Sequence, residues 1–216
     1  MWQKKYQQKK FYWGLKPSPV LVEFLSKIPK GKILDIGAGE GRNSIFLAKN
    51  GFKVEAIDKI AEGLKKCRDF AKKHNLLIKT KVCDIRKFGF KANKYSLIIS
   101  TAALDFLKKS EIELVVKKIK KSLVINGFIY FLVFSTKDPL YQKVKKLGLK
   151  KIEKNTYYLP KHKIYRHFFT QKELKEKFED FKIVYLKQKK ILDTGHGKPH
   201  YHSIIELLAQ KKKAVK

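Results

Sequence analysis

The sequence predicts an α/β fold, a doubly wound and mostly parallel sheet that ends in an antiparallel C-terminal hairpin. Short apolar runs alternate with amphipathic segments from Lys32 to Phe134, the pattern of strands buried under helices on both faces. Gly37, Gly39 and Gly41 follow the first of these runs, as a tight strand-to-helix turn requires. Two strand-like runs, Lys182 to Lys187 and Ser203 to Leu208, then succeed each other without a helix between them, so they pair as a hairpin. A chain of 216 residues is long enough for one sizeable core and short for two, so a single domain is expected.

Taken in order, Trp2 to Leu15 is a basic and aromatic lead-in, and Pro17 and Pro19 introduce an apolar helix from Val20 to Ser26. Lys32 to Ile36 is the first strand, Asn43 to Asn50 an amphipathic helix, and Lys53 to Ile57 the second strand, ending at Asp58. Ala61 to Lys73 reads as a helix with a lysine-rich outer face, and Leu76 to Cys83 as a third strand ending at Asp84. Tyr95 to Ser100 is the fourth strand, running into Thr101, Ala102, Ala103, Leu104, Asp105 and Phe106. Ser110 and Glu113 have the spacing of a capping box for a helix to Leu123, and Asn126 and Gly127 turn the chain into a fifth strand, Phe128 to Phe134. Thr170 and Glu173 repeat that spacing before a helix to Phe178. The loop from Asp193 to His200 joins the last two strands, and the closing QKKKAVK is a frayed basic tail. This divides the domain into a lead-in or lid (1–30), a ligand-binding core (31–134), acceptor-side elements with the closing hairpin (135–210) and the tail (211–216).

The glycine turn carries most of the chemistry. Glycine lets a small ligand approach the backbone, and the helix N-terminus beyond it presents free N–H groups. Asp58 lies about 20 residues past the turn, where a nucleotide fold places the acid that bonds ribose hydroxyls. An adenosine-containing cofactor is therefore expected. The dinucleotide fingerprint GxGxxG needs glycine at position 42, where this chain has Arg42. Asp35, two residues before Gly37, would repel a pyrophosphate but stabilise an ammonium. S-adenosylmethionine carries that ammonium, a sulfonium and no phosphate.

Asp35, Gly37, Gly39 and Gly41 resemble the DxGxGxG of motif I in the class I S-adenosylmethionine-dependent methyltransferases. The resemblance implies a Rossmann-like seven-stranded sheet whose sixth and seventh strands are the hairpin. It also implies a cofactor site made of Asp35, Gly37, Ala38, Gly39, Gly41, Asp58, Lys59, Asp84, Ile85 and Thr101. Asp84 or its neighbours would take the adenine amino group there, and Ile85 would pack on the ring. Within that superfamily, RNSIFLAKNGFKVEAIDK and GHGKPHYHSIIELLAQK resemble the tellurite-resistance methyltransferase group, with a likeness running from Tyr12 to Gln210. A small acceptor, a thiol or chalcogen oxyanion, is what this likeness implies. Where that group often has His after the Ala-Leu of strand four, this chain has Asp105.

Methyl transfer from a sulfonium is an in-line displacement in which the protein mainly positions and desolvates. A soft nucleophile needs no general base, whereas a hydroxyl or ammonium acceptor does. Asp105 and His167 are the catalytic candidates, with His196, His200 and His202 as further bases. Asp105 can point into the crevice at the carboxyl end of the fourth strand, or it satisfies backbone donors at a helix start. Arg166 and His167 border the acceptor pocket or form a surface ion pair. Tyr12, Trp13 and Gly14 fold over the cofactor as a lid, with Trp13 at the acceptor, or pack on the sheet. His200 and His202 share a strand face, and the cluster with His196 reads as a metal site, an acceptor contact or a hydrogen-bonded loop. No carboxylate or cysteine joins it at firm ligand spacing, so no metal is expected.

The net charge is +32, from 51 Lys and Arg against 19 Asp and Glu, which raises RNA or another polyanion as a partner. The alternative function is accordingly an RNA or protein methyltransferase that docks through its lysines. Arginine occurs only at 42, 68, 86 and 166, whereas base and phosphate readers lean on its planar fork. Neither an Asn/Asp-Pro-Pro-Tyr after strand four nor a Pro-Cys is present. Cys67 and Cys83 form no CxxC and are expected as free thiols. The longest apolar run, Phe128 to Phe134, is far too short to span a membrane, and the first residues lack a signal-peptide core. A cytoplasmic protein without a membrane partner is expected.

Overall fold

In the computed structural model, which describes residues 2–8, 10–194 and 198–213, the central strands are buried nearly continuously and so build a core on each face. The parallel part comprises β1 (Lys32–Ile36), β2 (Lys53–Asp58), β3 (Ile78–Val82), β4 (Tyr95–Thr101) and β5 (Leu123–Phe134). Around these strands lie α1 (Trp2–Tyr6), α2 (Pro19–Glu23), α3 (Arg42–Lys49), α4 (Ala61–Lys73) and α5 (Lys109–Ser122). The remainder is α6 (Pro139–Lys146), β6 (Lys151–Glu153), β7 (Thr156–Leu159), β8 (Ile164–His167), α7 (Gln171–Lys177), β9 (Phe181–Asp193) and β10 (His200–Lys211). The main sheet has seven strands in the order β3-β2-β1-β4-β5-β10-β9, with β10 antiparallel to both β5 and β9. This is the expected Rossmann-like sheet closed by an antiparallel hairpin.

Side chains on alternate positions of a strand point to opposite faces, and the apolar sequence divides accordingly. Leu34, Ile98, Ile129, Phe131, Ile205 and Leu207 face one layer, where Ile112, Val115 and Ile119 of α5 and Leu174 of α7 cover them. Ile33, Leu97, Ile99, Phe128, Tyr130 and Leu208 face the other, under Val20 and Leu21 of α2 and Leu47 of α3. Each such Leu or Ile contributes about 1.5–3 kcal/mol when fully buried. None of the described helices is long and apolar enough to cross a membrane.

Several expected boundaries move, each for an identifiable reason. The cap of α5 lies two residues earlier than Ser110: Glu111 accepts a hydrogen bond from the Lys108 amide at 2.9 Å. Ser110 instead gives its amide and hydroxyl to Glu153 of β6, at 3.1 and 2.8 Å. A carboxylate from a distant strand thus satisfies a first-turn donor that the local spacing had assigned to Glu113. The Thr170 cap does form, accepting from the Glu173 amide at 3.0 Å, but the Glu173 side chain turns to His167. Strand β5 starts at Leu123 because Leu123 pairs with Tyr95, and the Asn126–Gly127 turn becomes a register shift inside the strand, with Asn126 at φ 61°.

The hairpin strands are about twice their expected length, pairing from His200 with Asp193 to Lys211 with Phe181. The antiparallel three-stranded sheet β6-β7-β8 had no counterpart in the sequence reading of residues 135–169. Helix α1 likewise emerges from what had been read only as a lead-in.

Candidate functional site

The carboxyl ends of β1, β2, β4 and β5 open on one edge of the sheet, and the glycine turn lies there. Its backbone is tied to β2: the Gly37 and Ala38 amides donate to the Ile57 carbonyl at 2.8 and 3.0 Å, and the Gly39 amide to Asp58 Oδ2 at 2.8 Å. Gly37 and Gly41 have φ of 69° and 82°, a region in which a side chain is strained. A Cβ at Gly37 would lie 2.2 Å from that of Ala103, and one at Gly41 2.2 Å from Cys67 Sγ. Glycine at both positions lets the loop after β4 and helix α4 close onto the turn.

Asp35 is buried beneath it, 1% exposed. Its Oδ2 accepts from the Ser44 hydroxyl at 2.6 Å, while Oδ1 is buried without a partner. Burial, helped by the nearby Asp58 charge, raises its pKa to about 7 against the pull of Ser44 and Arg42. The same burial and the Asp35 charge push the Cys67 thiol up to about 12, so Cys67 is an unreactive free thiol, as is expected of a buried cysteine. An orphaned carboxylate oxygen beside a glycine cradle fits a small cationic ligand and disfavours a phosphate.

Asp58 is half-buried and accepts from both the Gly39 and Ile60 amides at 2.8 Å. Each oxygen keeps a second lone pair for a hydroxyl donor. Asp84 is engaged by Arg86, whose amide and Nε each lie 2.9 Å from Oδ1 and whose Nη2 meets Oδ2. That guanidinium holds the Asp84 carboxyl down at about 2. Ile85 packs half-buried against the core, Thr101 is half-buried at the end of β4, and Lys59 is exposed. The expected cofactor residues thus lie at the ends of four neighbouring strands, β3, β2, β1 and β4, and in the turn.

A strap covers the turn. The buried Glu40 carboxylate accepts from the Tyr12 amide at 2.7 Å, the Trp13 amide at 3.3 Å and Lys66 Nζ at 2.6 Å. Tyr6 places its hydroxyl 2.8 Å from the position of a Gly39 Cβ, and it hydrogen-bonds with Trp13. Trp2 stacks on Tyr6, tilts against Trp13 at 5.7 Å and meets Phe106 edge-on at 6.4 Å. The aromatic lead-in therefore lies across the turn and reaches the opposite wall.

That wall is formed by the loop after β4 and by β8. Asp105 is fully buried; its Oδ1 accepts from the Phe134 amide at 2.6 Å and its Oδ2 has no partner. It satisfies a backbone donor, but the donor comes from β5 instead of from the start of a helix. Burial raises its pKa to about 6, opposed by the Arg166 charge. Arg166 is 9% exposed, so it is not the surface ion pair that was one reading of it. Its guanidinium carbon lies 4.4 Å from the Phe106 ring centre and 4.7 Å from that of Phe134, and its Nε and Nη1 are buried without partners. His167 is fully buried with both nitrogens committed, Nδ1 to Thr156 at 2.8 Å and Nε2 to Glu173 at 3.1 Å. It ties α7 to the small sheet and has no ring nitrogen left for a substrate proton.

His200 and His202 do share a face, with their Nε2 atoms 3.1 Å apart. His196 lies outside the described residues. Asp193, read from the sequence as a loop residue, is the last residue of β9 and stands directly across from His200. It supplies the carboxylate that the spacing alone did not, because only the longer hairpin brings it alongside. Asp138 was missed as well: it caps α6 and accepts from His202 Nδ1 at 3.0 Å, and its Asp-Pro-Leu opening was the signal for it.

Residues 1–163 match the family described as tellurite resistance protein TehB. The probable S-adenosyl-L-methionine-dependent methyltransferase TehB of Haemophilus influenzae is 31% identical over 97 residues, which cover 45% of this chain and 34% of that protein. The match thus spans about a third of the length of that relative. Among solved structures, TehB from Haemophilus influenzae superposes with a TM-score of 0.72 at 23% identity, covering 98% of this chain and 66% of the other. A SAM-dependent methyltransferase from Methanosarcina mazei superposes with a TM-score of 0.73 at 23% identity, covering 90% and 98%. These likenesses show the fold.

Proposed function

The chain belongs to the tellurite resistance protein TehB family, and from that premise we propose that it transfers a methyl group from S-adenosylmethionine to a small anionic acceptor, a thiolate or chalcogen oxyanion. When bound, the cofactor supplies the methyl as an electrophile on a cationic sulfur. Oδ1 of Asp35 would receive the ammonium of its methionine part, and the remaining lone pairs of Asp58 would receive ribose hydroxyls. The strap of Trp2, Tyr6 and Trp13 keeps water from the turn. Fixing two reactants in line supplies about 7–11 kcal/mol of the barrier reduction.

The observation that carries the choice of acceptor is Arg166. Two guanidinium nitrogens buried without partners cost about 1–3 kcal/mol each, and an anion accepting from one of them would recover part of that cost. The flanking rings of Phe106 and Phe134 hold the guanidinium in place. Where the acceptor arrives protonated, Oδ2 of Asp105 would take its proton, while the bound cofactor would supply the methyl group and its sulfur would leave with the carbon–sulfur bonding pair. This assigns the base role to Asp105 and leaves His167 as a positioning residue. The charge-based alternative, docking of RNA or protein, gains no support from the relatives named above.

Labelled cofactor incubated with thiols, selenite, tellurite and cellular RNA tests the proposal. Label is expected in one of the small anions. Arg166→Lys is expected to raise the KM for that acceptor about tenfold, the loss of one charge-assisted hydrogen bond, with cofactor affinity unchanged. Label appearing only in RNA, or an unchanged KM in the variant, overturns it.

A further inference from the structure

We propose that Asp193, His200 and His202 bind one divalent transition-metal ion of the zinc or cobalt type at the mouth of the hairpin. The argument begins with the tautomers. His200 Nδ1 lies 2.9 Å from the carbonyl oxygen of Lys198, which can only accept, so Nδ1 carries the hydrogen. His202 Nδ1 lies 3.0 Å from Asp138 Oδ2, and that same oxygen accepts from the Ser203 amide at 2.9 Å. That oxygen is already an acceptor, so this Nδ1 also carries its hydrogen. With neutral rings, both Nε2 lone pairs then face each other across 3.1 Å.

A cation shared by the two nitrogens would bind both lone pairs. A shared proton satisfies that one contact, but Asp193 Oδ2 also lies 3.7 Å from His202 Nε2, and ligand atoms of all three residues fall within 4.8 Å of one another. Ligands about 2.0–2.1 Å from a tetrahedral ion lie roughly 3.3–3.4 Å apart, close to the observed spacings. Two imidazoles and one carboxylate suit zinc or cobalt and are poor ligands for magnesium or calcium. The buried Asp138 behind His202 is the second carboxylate that orients a metal-bound imidazole.

The backbone explains why these groups converge. Asp193 and His200 are directly paired across β9 and β10, and His202 follows two residues later on the same face. Phe134 touches both His202, at 4.8 Å, and the Arg166 guanidinium, at 4.7 Å. The ion would therefore lie one ring away from the group assigned to the anionic acceptor, although its binding does not depend on that assignment.

The full chain, stripped with a chelator and dialysed, is titrated calorimetrically with zinc chloride and spectroscopically with cobalt chloride. One equivalent of zinc is expected to bind, with visible ligand-field bands of low-symmetry cobalt at the same stoichiometry. His202→Ala and Asp193→Asn each weaken zinc binding by about 100-fold, and Asp138→Asn by about 10-fold through loss of ligand orientation. His162→Ala, in the turn after β7, leaves it unchanged. Circular dichroism confirms that each variant is folded; Asp193→Asn is nearly isosteric and keeps the test open if His202→Ala does not fold. Absence of stoichiometric binding by the wild-type chain, or equal affinity in the folded ligand variants, overturns the proposal.

Discussion

Asp35 is the residue on which ligand choice turns. Burial holds its folded-state pKa at about 7, above the ordinary carboxylate value. Folding therefore favours its neutral form: the stability linked to this group is complete at acid pH and is lost as pH rises through about 7. A cationic ligand binds the ionised form and reverses that preference. Affinity for S-adenosylmethionine should accordingly rise about tenfold between pH 6 and pH 8, as the ionised fraction grows around a pKa near 7. Calorimetry across that range checks it, and Asp35→Asn should bind weakly with a flat profile; a wild-type affinity independent of pH would argue against an ammonium at this carboxylate. Of the other residues, Asp58 and the glycines were legible because their spacing follows from local backbone geometry. The partner of Asp105 was not, because the Phe134 amide it receives comes from 29 residues away.

At the scale of elements, the buried carboxylate of Glu40 ties Tyr12 and Trp13 of the strap to the glycine turn. Hydrogen bonds to a charged group contribute about 1.5–3 kcal/mol each, and Glu40 accepts from two amides and from Lys66. Glu40→Ala should therefore release the strap. Limited trypsin digestion should cut within residues 4–16 much faster than in the wild type, and cofactor affinity should fall about tenfold, the equivalent of about 1.4 kcal/mol. Unchanged protection would show that the aromatic contacts suffice to hold it. The main sheet was readable from short apolar runs, since β2, β1 and β4 lie between parallel neighbours and are largely buried on both faces. The hairpin beyond Lys187 and Ser203 was not, because its outer strand mixes lysine and glutamine with apolar residues and alternation fades at an edge. The small sheet escaped for the same reason: β6 and β8 are short and only partly buried, and what fixes them is the long-range pairing with β7.

For the whole molecule, the charge of +32 raised a polyanion as a partner, and the fold itself accounts for a share of it. Lys66, Lys94, Lys120 and Lys189 each pair with a carboxylate, joining α4 to the glycine turn, the start of β4 to β2, α5 to the start of β9, and β9 to β10. The remaining lysines are spread over helices, strands and loops, where exposed charge costs little stability. Architecture and site then converge on one edge: the carboxyl ends of the parallel strands carry the glycine turn and Asp35, the strap closes over them, and Arg166 faces them from the inserted sheet. The central claim is that this edge selects a cationic amino-acid end over a phosphate. Titrating the full chain calorimetrically with S-adenosylmethionine and, separately, with NAD tests it most directly. Micromolar binding of S-adenosylmethionine that Asp35→Ala abolishes, with no binding of NAD, is the predicted result; NAD binding in its place, or full affinity retained by Asp35→Ala, would contradict the account.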